Sequence, residues 1–273
     1  MTRLTLRPDR RPKASRHTRQ QALTHSIDLL VCLVERNMKI MYKRSILGIA
    51  WTLIKPVMQL MVFTLVFKVV LSVQAENYSS FVFVGLLSWN WFQNALFESI
   101  GVIVSNKALI RQPNFPNRIL PVVVITTGLV HFLLSLPVFV VFSFIDGIVL
   151  RPTILLLPAI ALIQFAFIAS LAYPLAALNV RYRDVQHTLG ILLQFQFYMS
   201  GVFYDIDRVA ASSQWVFNLN PMVHIITAYR DILIRGVSPN WPYLLGTFAV
   251  SSGIIFLSCR QFERQSGRFL EEI

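Results

Sequence analysis

Residues 119–145 read ILPVVVITTGLVHFLLSLPVFVVFSFI, 27 positions without an Asp, Glu, Lys or Arg. A helix crosses a hydrocarbon core of about 30 Å with roughly 20 mostly apolar residues, so this stretch predicts a membrane span. Working outward from it, five further stretches predict helices of the same kind, at 49–71, 81–104, 153–178, 188–204 and 242–259. The fold class expected is therefore an all-α integral membrane protein of about six transmembrane helices. Composition agrees, with 55% hydrophobic and only 14% charged residues over 273 positions and a mean hydropathy of +0.58. A soluble chain carries roughly 25% charged residues.

The formal charge of +12 does not imply nucleic acid, because the cations lie between apolar runs and form no continuous patch. Their placement reads as topology. The first 48 residues hold 11 Lys and Arg, and Lys107, Arg111, Arg118, Arg181, Arg183, Arg260, Arg264 and Arg268 fall in every second connection after that. The alternate connections hold only Arg151, Arg208, Arg230 and Arg235. Cationic loops stay in the cytoplasm, which predicts both termini inside. The first 20 residues are polar and basic, so no signal peptide is expected.

The chain then divides into a basic cytoplasmic tail at 1–22, an amphipathic interface helix and connector at 23–48, a six-span domain at 49–259 and a cytoplasmic tail at 260–273. In the interface helix Leu23, Ile27, Leu30, Val34, Met38 and Met41 recur at helical spacing, while Asp28, Glu35, Arg36 and Lys39 interrupt it. It is expected to lie along the cytoplasmic surface. The connection 205–241 mixes apolar runs with Asn220, Pro221 and Gly236. Short helices returning into the outer leaflet are expected there, forming an external gate with Met222, Ile225 and Ile226 at its mouth and Arg230 behind it, reachable from outside. No internal repeat is visible.

Polar residues at membrane depth face a cavity or a neighbouring helix. Asn90, Asn94, Glu98 and Gly101 share one helical face, and Thr52, Lys55 and Gln59 form a comparable stripe. Gln194, Phe195, Gln196, Phe197 and Tyr198 would suit a carbohydrate path, since amides and aromatic faces grip sugars; for the face of Asn90, Asn94, Glu98 and Gly101, helix-to-helix glue is the alternative to a pore lining. Trp89, Trp91, Trp241 and Tyr243 read as an interfacial belt near the outer surface. His131 reads as a hydrogen-bonded packing residue before a proton relay. Cys32 and Cys259 read as apolar filler, and no metal site is expected.

The chain contains no G-x-x-x-x-G-K-[ST] and no Gly-Lys pair, so it does not cradle ATP phosphates by that loop. Asp205 and Asp207 form a D-x-D, which admits a membrane-embedded glycosyltransferase as a distant alternative.

The run Tyr42-Lys43-Arg44-Ser45-Ile46-Leu47-Gly48-Ile49-Ala50-Trp51 with Pro56 resembles the start of the first span in the type-2 ABC permeases that export O-antigen, teichoic acid and capsule polysaccharide. Ala108-Leu109-Ile110-Arg111 with Phe115-Pro116 and Leu120-Pro121 resembles that family's second cytoplasmic connection, and Asn179 with Tyr182-Arg183-Asp184-Val185 its third. Gly201-Val202-Phe203-Tyr204, Leu219-Asn220-Pro221-Met222 and Tyr229-Arg230 resemble its external gate region. Asn117 before Arg118, and Lys55 before Pro56, depart from the commonest pattern.

The resemblance implies a homodimer in the bacterial inner membrane with a channel between the subunits. It also implies an ABC ATPase subunit on each cytoplasmic face, a lipid-linked polysaccharide as cargo, and no nucleic acid. Cofactors, ATP and Mg, would belong to the partner ATPase and none to this chain. By the same resemblance Arg36, Tyr42, Arg44, Arg111, Phe115, Arg183 and Asp184 would couple to the ATPase. Lys55, Gln59, Asn94, Glu98, Gln194, Phe197 and Tyr198 would line the channel, and Phe203, Tyr204, Asn220, Pro221, Met222, Tyr229 and Arg230 would build the gate. A related permease for a drug or other small hydrophobic molecule is the alternative within the same fold.

Overall fold

The computed structural model describes residues 16–43, 45, 47–66, 77–113, 115–206 and 214–272, with side chains described from 24 to 262 apart from Ile49. Arg44, Asp207, Arg208 and residues 1–15 lie outside the described residues. Among the described residues ten α-helices follow one another: α1 (Arg16–Tyr42), α2 (Trp51–Thr64), α3 (Tyr78–Ser105), α4 (Lys107–Ile110), α5 (Ile119–Ile145), α6 (Leu157–Arg181), α7 (Asp184–Tyr198), α8 (Gln214–Asn218), α9 (Pro221–Arg230) and α10 (Trp241–Glu272). There is no strand among the described residues. Among the described residues three helical stretches are long and apolar enough to cross a membrane: Ile119–Ile145, Pro152–Arg181 and Trp241–Phe262.

The axis of the bundle is α3. Every residue from Val82 to Trp89 is buried, and a helix buried all round is one surrounded by other helices. Helices α2, α5, α6, α7 and α9 all pack on it. At its centre Gln164 of α6 donates to the Ser88 carbonyl at 2.8 Å and accepts from the Ser88 hydroxyl at 3.2 Å, which satisfies a buried amide inside an apolar interior. Trp91 donates to the Ile125 carbonyl at 3.1 Å, and Gly128 makes room for it, since a Cβ there would stand 2.7 Å from the indole. Trp89 and Trp91 are therefore core residues, 1% and 3% exposed, and not the belt expected of them. Amphipathic rings serve either place, and hydropathy does not tell which.

The bundle has two distinct ends. At one, the Asp146 carboxylate accepts from the Ser80 amide (2.9 Å), the Tyr78 hydroxyl donates to the Phe203 carbonyl (3.3 Å), and Thr153 donates to the Ile232 carbonyl (2.9 Å). At the other, Tyr173 donates to the Arg118 carbonyl (2.8 Å) and packs edge-on against Phe262, while Asn179 donates to the Ile100 carbonyl (3.0 Å). The connections carrying few cations meet at the first end, and the cation-rich ones at the second.

Three boundaries differ from expectation. Helix α7 begins at Asp184 and stops at Tyr198, because Gly201 at φ +63° turns the chain where the span was expected to run on to 204. Helix α10 continues to Glu272, past the expected stop at 259. Helix α1 does not simply lie along a surface. Leu33 packs with Ile119 and Val123, and Tyr42 reaches His131, so its C-terminal half runs beside α5. His131 is twelve residues beyond Ile119, roughly 18 Å along α5 at 1.5 Å per residue.

Candidate functional site

Between α2, α3, α5 and the end of α1 lies an open cleft of about 360 Å3. Lys55, Asn94 and Glu98, expected from the sequence as a polar lining, are exposed on it. Gln59 instead accepts a hydrogen bond from Asn90 at 3.0 Å and so fastens α2 to α3. At the inner end of the cleft three side chains from three elements meet. The Tyr42 hydroxyl is bonded to the Thr52 hydroxyl and stands 3.1 Å from Nδ1 of His131, and Thr52 Oγ1 stands 3.2 Å from the same nitrogen. The Nδ1 of His131 is thus hydrogen-bonded, with its partner Tyr42 coming from 89 residues away, while its buried Nε2 has no partner among the described residues. Spacing could not show this, because nothing periodic links Tyr42 to α5.

The remaining expected lining residues stand elsewhere. Gln194 and Tyr198 are exposed on α7, and Phe197 sits in an aromatic cluster that joins four parts of the chain. Its ring lies 5.5 Å from Trp89, 6.0 Å from Phe63 and 5.8 Å from Phe203, and Phe203 stacks on Phe63 at 5.5 Å. Tyr204 extends the chain of rings to Phe217 at 6.1 Å, and its hydroxyl donates to the Tyr198 carbonyl at 2.6 Å.

The gate region is organised by two polar side chains. Asn220 caps α9 by accepting from the Met222 amide at 3.0 Å, accepts from Gln196 at 2.7 Å, and donates to the Met199 carbonyl at 3.1 Å and the Ser200 hydroxyl at 3.2 Å. Pro221 stands at the first turn of α9, where its missing amide hydrogen costs nothing, so the break between α8 and α9 falls at Asn220 and Pro221 as expected.

Arg230 donates to the Phe81, Gly201 and Val202 carbonyls at 3.3, 2.9 and 2.7 Å, and its guanidinium carbon lies 3.4 Å from the Phe81 ring centroid. It is 3% exposed, which corrects the expectation of a side chain reachable from outside. Met222, Ile225 and Ile226 are fully buried and do not form a mouth, because the apolar face of α9 turns inward onto α3 and α6. Tyr229 is buried with them.

At the opposite end Arg36, Arg111, Arg183 and Asp184 are exposed. Phe115 packs against the contact between α1 and α5, and Tyr42 faces the cleft and not solvent. Asp205 is ion-paired with Arg235 at 3.2 Å, and no cluster of His, Cys, Asp or Glu able to hold a metal occurs among the described residues.

Comparison with known proteins adds identity to this geometry. The chain is 34% identical over 247 residues to an O-antigen export system permease protein RfbA of Myxococcus xanthus, covering 90% of this chain and 95% of that one. It is 27% identical over 252 residues to a protein of the same description from Klebsiella pneumoniae, covering 91% and 96%. Residues 28–234, from within the interface helix to within the gate region, match the ABC-2 type transporter family, and the chain belongs to that family.

Proposed function

We propose that the chain is the permease subunit of an ATP-driven exporter that moves lipid-linked polysaccharide from the cytoplasm across the bacterial inner membrane. The observation that carries this reading is similarity along nearly the whole of relatives described as O-antigen export permeases. The chain works as a pair of six-span subunits with both termini in the cytoplasm. Two copies of an ATPase bind ATP and Mg, since this sequence has no phosphate-cradling loop of the G-x-x-x-x-G-K type. They dock on Arg36, Arg44, Arg111, Phe115, Arg183 and Asp184. Their closure moves α1, and α1 acts on α5 and α2 through Leu33 and Tyr42, a coupling through packed rigid elements.

Lys55, Gln59, Asn94, Glu98, Gln194, Phe197 and Tyr198 line the route of the glycan. Phe203 and Tyr204 close it on the outer side, held by Asn220 and Arg230 and backed by Pro221, Met222 and Tyr229.

Deleting the gene should leave lipid-linked glycan inside the cell and strip it from the surface, and the wild-type chain should restore it. Charge reversal at Arg183 or Asp184 should lower export several-fold and weaken co-purification with the ATPase while membrane insertion stays normal. Surface polysaccharide unchanged by deletion would remove the reading.

A further inference from the structure

A second groove, of about 320 Å3, shares no residue with the cleft and lies between α6, α10 and the short helices α8 and α9. Tyr243, Gly246, Val250 and Ile254 form its long wall on α10, with Leu171 of α6 and Leu219 of the α8–α9 turn facing them. The four α10 positions recur every three or four residues and so share one face of a helix long and apolar enough to cross the membrane. That face lacks a protein neighbour: all four are exposed, Val250 by 64%.

No Asp, Glu, Lys or Arg lines the groove. Thr247 and Ser170 line it, but their hydroxyls donate to the Tyr243 and Phe167 carbonyls at 2.9 and 2.7 Å, and His224 Nε2 donates to the Asn218 carbonyl at 2.8 Å. These polar groups are engaged within the protein, and the wall they leave suits hydrocarbon. Gly246 deepens the groove. A Cβ there would meet no atom within 4 Å, so no neighbouring element requires the glycine, although glycine inside a helix is disfavoured relative to alanine.

Size decides the occupant. Ile254 lies eleven residues beyond Tyr243, about 16 Å of helix rise, which is roughly half of a 30 Å hydrocarbon core and so the depth of one leaflet. Spread over that length, the volume gives a cross-section of about 20 Å2. A helix about 10 Å across needs about 80 Å2, so a second copy of the chain cannot lay a helix into the groove, whereas a single methylene chain fits. A branched isoprenoid chain is wider than a bare methylene chain. Tyr243 stands near the start of α10, where the cation-poor connections gather, and is a ring of the kind that meets lipid head groups. We propose that this groove holds one acyl chain of a phospholipid from the leaflet on the cation-poor side, lying lengthwise from Tyr243 to Ile254 with its head group beside Tyr243. The chain braces the α8–α9 segment against α10, next to the His224 ring stacked on Tyr243 at 4.3 Å.

The test uses the full chain in nanodiscs of phosphatidylethanolamine and phosphatidylglycerol. Two phosphatidylethanolamine photoprobes are added in trace, one with a diazirine at the end of an acyl chain and one with it beside the glycerol ester. The first should label α10 around Ile254 and the second around Tyr243. Native mass spectrometry of the detergent-purified chain should find one phospholipid retained per chain. Gly246→Leu and Val250→Trp, two independent ways of filling the groove, should each lower both signals several-fold. Gly253→Leu is the matched control: that glycine is exposed on the same helix, a Cβ there also meets nothing within 4 Å, and it does not line the groove. It should leave both signals unchanged. Adding phosphatidylethanolamine to the delipidated protein should raise the melting temperature of the wild type and of Gly253→Leu but not of the filled variants.

Labelling spread evenly onto Phe256 and Leu257 and indifferent to both fillings would show bulk lipid only and overturn the proposal. Displacement by a polyprenyl phosphate in preference to phosphatidylethanolamine would overturn the choice of a phospholipid. With Cys32 and Cys259 replaced by Ala, a disulfide between two chains at Val250→Cys would show that a second copy covers this face, with the same result. Should one filled variant fail to fold, the other variant and the depth pattern of the wild type still decide.

Discussion

At the scale of the residue, Arg230 ties together the end of the bundle where Phe81, Gly201 and Val202 meet. Its guanidinium satisfies three carbonyls from two separate segments, and two of those carbonyls, at Gly201 and Val202, belong to a turn that no helix supports. Gly85 makes the approach possible: a Cβ there would lie 2.8 Å from both the Arg230 Nη2 and the Val202 carbonyl oxygen. Arg230→Met should therefore leave buried acceptors unpaired and cost on the order of 3 kcal/mol, read as a lower melting temperature of the purified protein in detergent. Arg230→Lys should recover part of it, since a single ammonium cannot reach all three oxygens. Gly85→Ala should also destabilise, by about 1–3 kcal/mol, and should add little on top of Arg230→Met, because both damage one contact. Full additivity of the two would mean that they act at separate places.

At the scale of the element, helices were legible in the sequence and their neighbours were not. The stretch 119–145 coincides with α5, since 27 uncharged positions leave few other structures open in a membrane. Which side of α5 meets protein is hidden, because lipid is as apolar as a core: Phe132 and Phe139 are buried while Leu133, Val141 and Phe144, equally apolar, are exposed. The inward face of α9 and the burial of Trp89 and Trp91 escaped for the same reason. Helix α1 shows the opposite case, where polar residues marked it as an interface helix but gave no sign of its contact with α5. That contact rests on Leu33, 6% exposed between Ile119 and Val123. Leu33→Asp should free the helix, and trypsin should then cut at Arg36 and Lys39 several times faster in inside-out vesicles, with the rest of the chain resistant. An unchanged rate would show that α1 is held by Tyr42 and Thr52 alone.

At the scale of the whole molecule, the alternation of cation-rich and cation-poor connections is matched by the way the bundle gathers them. Segments around 78–81, 146–153, 201–205 and 230–236 meet through hydrogen bonds at one end, and those around 100–118, 173–183 and 262 at the other. Two independent features thus assign the same connections to the same side: positive loops resist translocation, and short connections place successive helix ends together. A chain threaded with one span missing would break this agreement, since every later connection would then arrive at the wrong end. The arrangement predicts that, with Cys32 and Cys259 first replaced by Ala, a membrane-impermeant maleimide applied to intact spheroplasts labels Val149→Cys and Ser238→Cys. Arg111→Cys and Arg183→Cys should react only after the membrane is opened. All four positions are exposed, so failure to react reports the membrane and not burial. Labelling of position 111 from outside would place the face carrying Arg111, Arg183 and Asp184 away from the cytoplasm, where no ATPase could reach it, and the coupling proposed for those residues would fall with the topology.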